Sequence, residues 1–214
     1  MGKEAQWVPG RSAMELARYI TADLPNLPKE IEEALSPFTD SDTEFDWRAE
    51  HVTSFAAFGL GKGNGRNHDA FLFNKDIAVG IEGKADEPLG SKLIGEEMRA
   101  AGENKMHRIR GIVKMLFGDG PENHTKIRYQ LITAASATLL EAKQRGTDKA
   151  MLLVIVFKKP GCYSEEKIAR NNADIERFLA EAGAQKRDGH YFLPTPYGRE
   201  NGIKLFFAKI EIDL

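Results

Sequence analysis

The chain has 214 residues, 42% of them apolar, a net charge of −2 and one cysteine, Cys162. That is enough for one large domain with a full core, and the balanced charge counts against a protein that grips long duplex DNA through a global basic field. The lone cysteine excludes an internal disulfide and fits a reducing compartment, and with no apolar run of about 18 residues nothing spans a membrane.

The start, MGKEAQWVPG, lacks the apolar core of a signal peptide and the Ser or Thr at position 6 of a myristoylation site, so a cytoplasmic protein is expected. Pro9-Gly10 then breaks the chain. Ser12 and Glu15 have the spacing of a capping box at the head of a helix with Met14, Leu16, Ala17 and Ile20 on its apolar side. Glu15 has a second reading, as an acid within reach of a metal site. The helix stops by Pro25. A second helix, Pro28 to Leu35, carries Glu30, Glu32 and Glu33 near its positive end.

Ser36 to Asp46 is polar and turn-rich, and His51 to Phe58 reads as a strand, with Trp47 set to close the core beneath. GLGKGNGRN, residues 59–67, matches neither a P-loop nor a dinucleotide fingerprint. It reads as a flexible loop between strands, or as a basic lip in which Lys62 and Arg66 contact a phosphate backbone.

Residues 91–117 read as helix weakened by Gly95, Gly102 and Gly111. Its basic cluster, including Arg108 and Arg110, is either a solvated face or a nucleic-acid contact; without interleaved aromatics it offers no base stacking. Thr125 to Arg145 is the longest helix, with a small-residue middle that permits close packing on a sheet and Gly146 as its stop. Lys149 to Phe157 is an uninterrupted apolar run, the mark of a strand covered on both faces. Cys162 reads as an inert residue near a turn. Ser164 caps a helix to Ala182, and Tyr191–Leu193 and Ile203–Ile212 form a last strand pair joined by a Pro/Gly-rich loop.

The centre of the chain is Asn67 to Glu87. Two apolar runs, Asp69–Phe73 and Ile77–Ile81, flank Asn74-Lys75-Asp76. With Lys75 and Asp76 as the loop, Asn74 pairs with Ile77 and Asp69 falls opposite Glu82. Glu82 and Lys84 then share a face, and Asp69, Glu82 and Lys84 converge at one end of a buried hairpin. Two close carboxylates repel unless a cation intervenes, and a hard divalent ion suits oxygen donors. The Gly83 carbonyl could add a ligand. Such an ion helps water attack a phosphoryl group, and a lysine can orient that water or hold the developing charge. A simpler reading makes Glu82 and Lys84 an ion pair at a strand end.

The order helix, strand, strand with Asp69, strand with Glu82-Gly83-Lys84, helix, strand resembles the PD-(D/E)XK nuclease superfamily, on HDAFLF and IEGK and over roughly residues 45–157. The resemblance implies an α/β, restriction-endonuclease-like αβββαβ core within one domain spanning 1–214, with a mixed central sheet flanked by helices. It implies Asp69 and Glu82 as ligands of Mg²⁺ or Mn²⁺, Lys84 as the catalytic lysine, DNA or RNA as substrate, and a possible homodimer. His68 stands where the family pattern has Pro, and the Gln-x-x-x-Tyr element of one branch is missing; Gln130, next to Tyr129, could still point at the site. The competing expectations are a catalytically silent nuclease-fold protein that binds nucleic acid or protein, and a small-molecule enzyme of another α/β class.

Overall fold

A computed structural model describes residues 11–22, 26–40, 44–63, 65–159 and 161–214. The Pro9-Gly10 break, the N-terminal decapeptide and Pro25 lie outside the described residues. The helices are α1 (Ser12–Ala22), α2 (Lys29–Leu35), α3 (Ile94–Arg99), α4 (Glu103–Phe117), α5 (Tyr129–Arg145), α6 (Glu165–Glu181) and α7 (Pro196–Asn201). The strands are β1 (Asp46–Thr53), β2 (Arg66–Phe73), β3 (Ile77–Lys84), β4 (Lys149–Lys158), β5 (Gln185–Arg187), β6 (His190–Leu193) and β7 (Lys204–Asp213). They form one seven-stranded mixed sheet in the order β1-β2-β3-β4-β7-β6-β5. β4 pairs in parallel with β3 and β7, and the outer pairs are antiparallel.

Helices cover both faces, giving an α/β architecture. Alternate residues of β3, β4 and β7 point to a core under α4, α5 and α6 (Ala78, Leu152, Val154, Val156, Phe207) or to one under α1 and α2 (Val79, Ile81, Leu153, Ile155, Ala208). β4 is buried from Ala150 to Phe157, and each of its branched side chains contributes about 1.5–3 kcal/mol by leaving water. Helix α5, buried from Leu131 to Ala142, lies close on the sheet because β3 offers Gly80 beneath it: a Cβ there would stand 2.4 Å from Thr138 Oγ1 and 2.7 Å from His68 Cε1.

The β2–β3 register is the expected one. Phe73 faces Ala78 and Ala70 faces Ile81; the ladder ends there, one position short of Asp69 and Glu82. Asn74 fixes it, its Oδ1 accepting from the N–H of Asp76 (2.8 Å) and Ile77 (2.9 Å) while its own N–H reaches the Ile77 carbonyl. Ser164 caps α6, as expected.

Several boundaries differ from the sequence reading. The strand before the hairpin is Asp46–Thr53, and Ala56–Phe58 is a 3-10 turn. β1 is an edge strand, so Trp47 is 38% exposed and closes no core. Residues 91–117 split into α3 and α4 around Gly102, and α5 begins at Tyr129 rather than Thr125 because Pro121–His124 forms a 3-10 turn and Leu93 bridges Arg128. The Ser12–Glu15 box does not set the start of α1: Ser12 lies inside the helix, its N–H donating to Glu87 Oε1 at 2.9 Å. The link between the last strands holds α7, and β5 was not anticipated. Cys162 is a free, exposed thiol. Among the described residues no helix is long and apolar enough to cross a membrane.

Candidate active site

The end of the β2–β3 hairpin carries the site. On β2 the alternation of side chains slips by one at Asp69: His68 and Phe71, three residues apart, both lie on the α5 side, their rings 5.7 Å apart. The facing residue on β1, Glu50, takes a left-handed φ of 48°. The slip turns Arg66 and His68 onto the face where β3 presents Glu82.

Glu82 is 1% exposed and gripped on one oxygen. Arg66 Nη2 donates to Oε2, and Gln130 Nε2, from the first turn of α5, donates to the same oxygen at 2.8 Å. His68 Nδ1 stands 3.3 Å from Oε1 without closing a hydrogen bond. Glu82 Oε1, both nitrogens of His68 and Nε of Arg66 are buried with no hydrogen-bond partner among the described residues. Asp69 is half-buried, and its Oδ2 accepts from the Gly83 N–H at 2.9 Å. Lys84, buried at 6% exposure, closes no ion pair among the described residues, although its charge acts on Asp69, Glu82 and Glu87.

The two carboxyls are driven apart electrostatically. Burial, then the negative charge of Glu82, pushes Asp69 up to about 6, against the pull of Lys84, the Gly83 N–H and Arg66. Burial alone would raise Glu82 too, but the charges of Arg66 and Lys84 outweigh it and hold Glu82 at about 2. Burial lowers the pKa of His68, so its imidazole is neutral near pH 7.

The donors suit a hard divalent cation in type: two carboxylates, with Glu82 Oε1 buried and unpartnered. Among the described residues no group of three or more His, Cys, Asp or Glu side chains could hold a metal. The fit is therefore to an ion held by one or two carboxylates that keeps several waters, as Mg²⁺ does.

Beside Glu82 opens a cleft of about 440 Å³. Its lining includes Arg66 and Gln130, which reach Glu82, and Lys92, Arg108, Tyr129 and Phe55. Arg108 donates through Nη2 to the Lys62 carbonyl at 2.6 Å. Lys62 is exposed, with its backbone rather than its ammonium fixed, and Arg110 is exposed and outside the cleft lining. Of the residues singled out in the sequence, Asp69, Glu82, Gly83, Lys84 and Gln130 come together, Arg66 joins them as the partner of Glu82, and Arg108 lines the adjoining cleft. Glu15 lies on α1, 3.6 Å from Arg18. His68, Lys92 and Tyr129 were missed as parts of the site. Only the adjacency of His68 to Asp69 and of Tyr129 to Gln130 pointed to two of them; for Lys92 no signal existed.

The whole chain, residues 1–214, matches the family model described as Domain of unknown function (DUF6946), and the chain belongs to that family. Searches of curated proteins and of solved structures return no match.

Proposed function

We propose that this member of the DUF6946 family is a metal-dependent phosphodiester hydrolase of the PD-(D/E)XK type, acting on DNA or RNA with Mg²⁺ or Mn²⁺. The observation that carries the reading is the convergence of Asp69, Glu82 and Lys84 at one end of a buried hairpin, with Gln130 reaching Glu82 from the following helix. Burying two carboxylates side by side is costly unless they are paired or bind a cation.

Asp69 and Glu82 would hold the ion, with the Gly83 carbonyl as a further oxygen donor. Bound there, the ion would polarise a phosphoryl oxygen and make an attacking water more acidic. Lys84 orients that water and stabilises charge developing on the phosphoryl oxygens. Gln130 fixes the rotamer of Glu82, Arg66 and Arg108 meet substrate phosphates, and the buried, neutral His68 keeps water from the inner side of Glu82. The test is incubation with Mg²⁺ or Mn²⁺ and single- and double-stranded DNA and RNA. Cleavage absent from the Glu82→Ala protein is expected; no cleavage beyond that control defeats the reading.

One observation favours a second reading, a catalytically silent nuclease-fold module that binds nucleic acid or protein: Arg66 already neutralises Glu82. Mg²⁺ affinity that disappears in Asp69→Ala argues against it.

A further inference from the structure

We infer that the exposed face of α4, with the lip of residues 59–63 laid along it, is a track for the sugar–phosphate backbone of nucleic acid, bound without regard to base sequence. The inference rests on the nuclease reading of the Asp69–Glu82 site for its direction: the track continues from the cleft beside Glu82, so the substrate extends past the bond it presents to the carboxylates.

Charge is unevenly distributed along the chain. Residues 91–118 hold six Lys and Arg against three Glu, in a protein whose net charge is −2. Two of those acids are engaged, Glu97 with Lys105 and Glu96 through Oε2, which accepts from the Leu93 N–H at 2.7 Å. On α4 the buried Ile109, Ile112, Val113 and Leu116 face the core. That leaves Glu103, His107, Arg110 and Lys114 exposed in one stripe at helical spacing. From His107 to Lys114 the stripe runs about 10 Å, the axial length of about three phosphates on one strand.

The lip adds a fixed cation beside the stripe. Lys62 N–H donates to Asn104 Oδ1 (2.6 Å), and the Lys62 carbonyl accepts from Asn104 Nδ2 and Arg108 Nη2 (2.6 Å each). His107 Nε2 donates to the Gly59 carbonyl at 2.9 Å. Two glycines permit this closeness. A Cβ on Gly61, at φ 85°, would sit 2.9 Å from the Asn104 carbonyl oxygen, and one on Gly111 would sit 2.5 Å from Leu60 Cδ2. A glycine inside a helix costs about 1 kcal/mol against alanine; here it seats Leu60 and with it the lip. The backbone of Lys62 is therefore held while its side chain is exposed. Arg108 lines the cleft and also holds the lip, so Lys62 stands between the cleft and the stripe.

Lys62, Arg110 and Lys114 have no carboxylate within ion-pair distance among the described residues. A row of unpaired like charges attracts a polyanion, whose binding releases counterions. The stripe carries no Phe, Tyr or Trp on which a base could stack, and Asn104, the amide beside it, has both ends engaged by the lip. It thus offers phosphate contacts and no base readout.

The test is binding by fluorescence polarisation in chelator, without metal, over a series of salt concentrations. The probes are labelled single strands of two unrelated sequences and their duplexes, each long enough to cover cleft and stripe, with polyglutamate as competitor. Combining Lys62→Gln, Arg110→Gln and Lys114→Gln, all at exposed positions, is expected to weaken binding of both sequences at least about tenfold. For the single strands it is expected to flatten the log K against log salt slope by about 2, at about 0.7 per phosphate contact. A control combining Lys186→Gln, Arg187→Gln and Lys204→Gln removes the same charge from exposed positions on β5 and β7 and is expected to keep the wild-type slope. Single strand or duplex bound with this pattern upholds the track. A track variant with the wild-type slope overturns it, as does a control variant that loses as much. So does one sequence bound about tenfold tighter than the other, polyglutamate competing as well as unlabelled strand, or no binding by wild type. Cleavage is scored separately with Mg²⁺: a strand bound with this pattern but never cut upholds the track and defeats the nuclease reading, and cutting with no change of slope in the track variant does the reverse.

Discussion

Arg66 and Glu82, on neighbouring strands, form an ion pair with a buried carboxylate, in which the guanidinium holds Oε2 and leaves Oε1 without a hydrogen bond. The same carboxylate is therefore contested by an internal cation and by the proposed divalent ion. Removing one partner of a buried pair strands the other charge, at a cost of about 3 kcal/mol. Arg66→Met is expected to lower the melting temperature in chelator, and to regain more of it on adding Mg²⁺ than wild type gains, because binding to the folded state alone stabilises it. Thermal melts at several Mg²⁺ concentrations measure this; an equal Mg²⁺ response in both proteins would show that Arg66 and the ion do not compete.

A pH dependence follows from Asp69. Its folded pKa, about 6, lies above its ordinary 3.8, so the folded state binds the proton more tightly than the unfolded chain. The resulting stability is complete below 3.8 and is lost as pH rises through about 6. Glu82 has the opposite sign: held at about 2 against an ordinary 4.5, it gives stability present above 4.5 and lost as pH falls towards 2. Between pH 4.5 and about 6 the change comes from Asp69. Metal-free Asp69→Asn should therefore melt higher than wild type at pH 7, with the gap closing towards pH 4. A constant difference across that range would remove Asp69 as its source.

The hairpin register was legible because Asn74 is a turn-former that accepts from its own loop, and because a period of two then dictates what lies opposite. The buried strand β4 was legible from its unbroken apolar run. The slip at Asp69 was not. It lies opposite Glu50, which adopts a left-handed conformation in a different strand, and no pattern in residues 66–73 encodes it. Arg66 accordingly read as part of a solvent-facing lip, and His68 as a departure from the family pattern, although together they surround Glu82. Trp47 misled because nothing in the sequence marked β1 as an edge strand whose first five residues, Asp46 to Glu50, are exposed.

Gly80 is the position where sheet, helix and site meet. A methyl there would press on Thr138 Oγ1 and His68 Cε1. Gly80→Ala should destabilise by about 1–3 kcal/mol through overpacking. Thr138→Ala removes one of the two obstructions, so the double variant should recover part of the loss in a double-mutant cycle read by urea denaturation. Strictly additive effects would mean that α5 does not approach β3 through this glycine.

Lys84 separates a structural from a chemical role. As half of a strand-end ion pair with Glu82, its loss would strand a buried carboxylate and destabilise the fold. Yet Glu82 Oε2 is already held by Arg66 and Gln130, while Lys84 closes no ion pair among the described residues. Lys84→Met, close in shape and free of the cost of burying a charge, is thus expected to be at least as stable as wild type by urea denaturation. Under the proposed chemistry the same variant loses about 100-fold or more in Mg²⁺-dependent cleavage, the usual cost of removing one group that stabilises transition-state charge. A marked loss of stability with cleavage falling only in proportion to folded protein would make Lys84 structural; preserved stability with lost cleavage assigns it to the reaction.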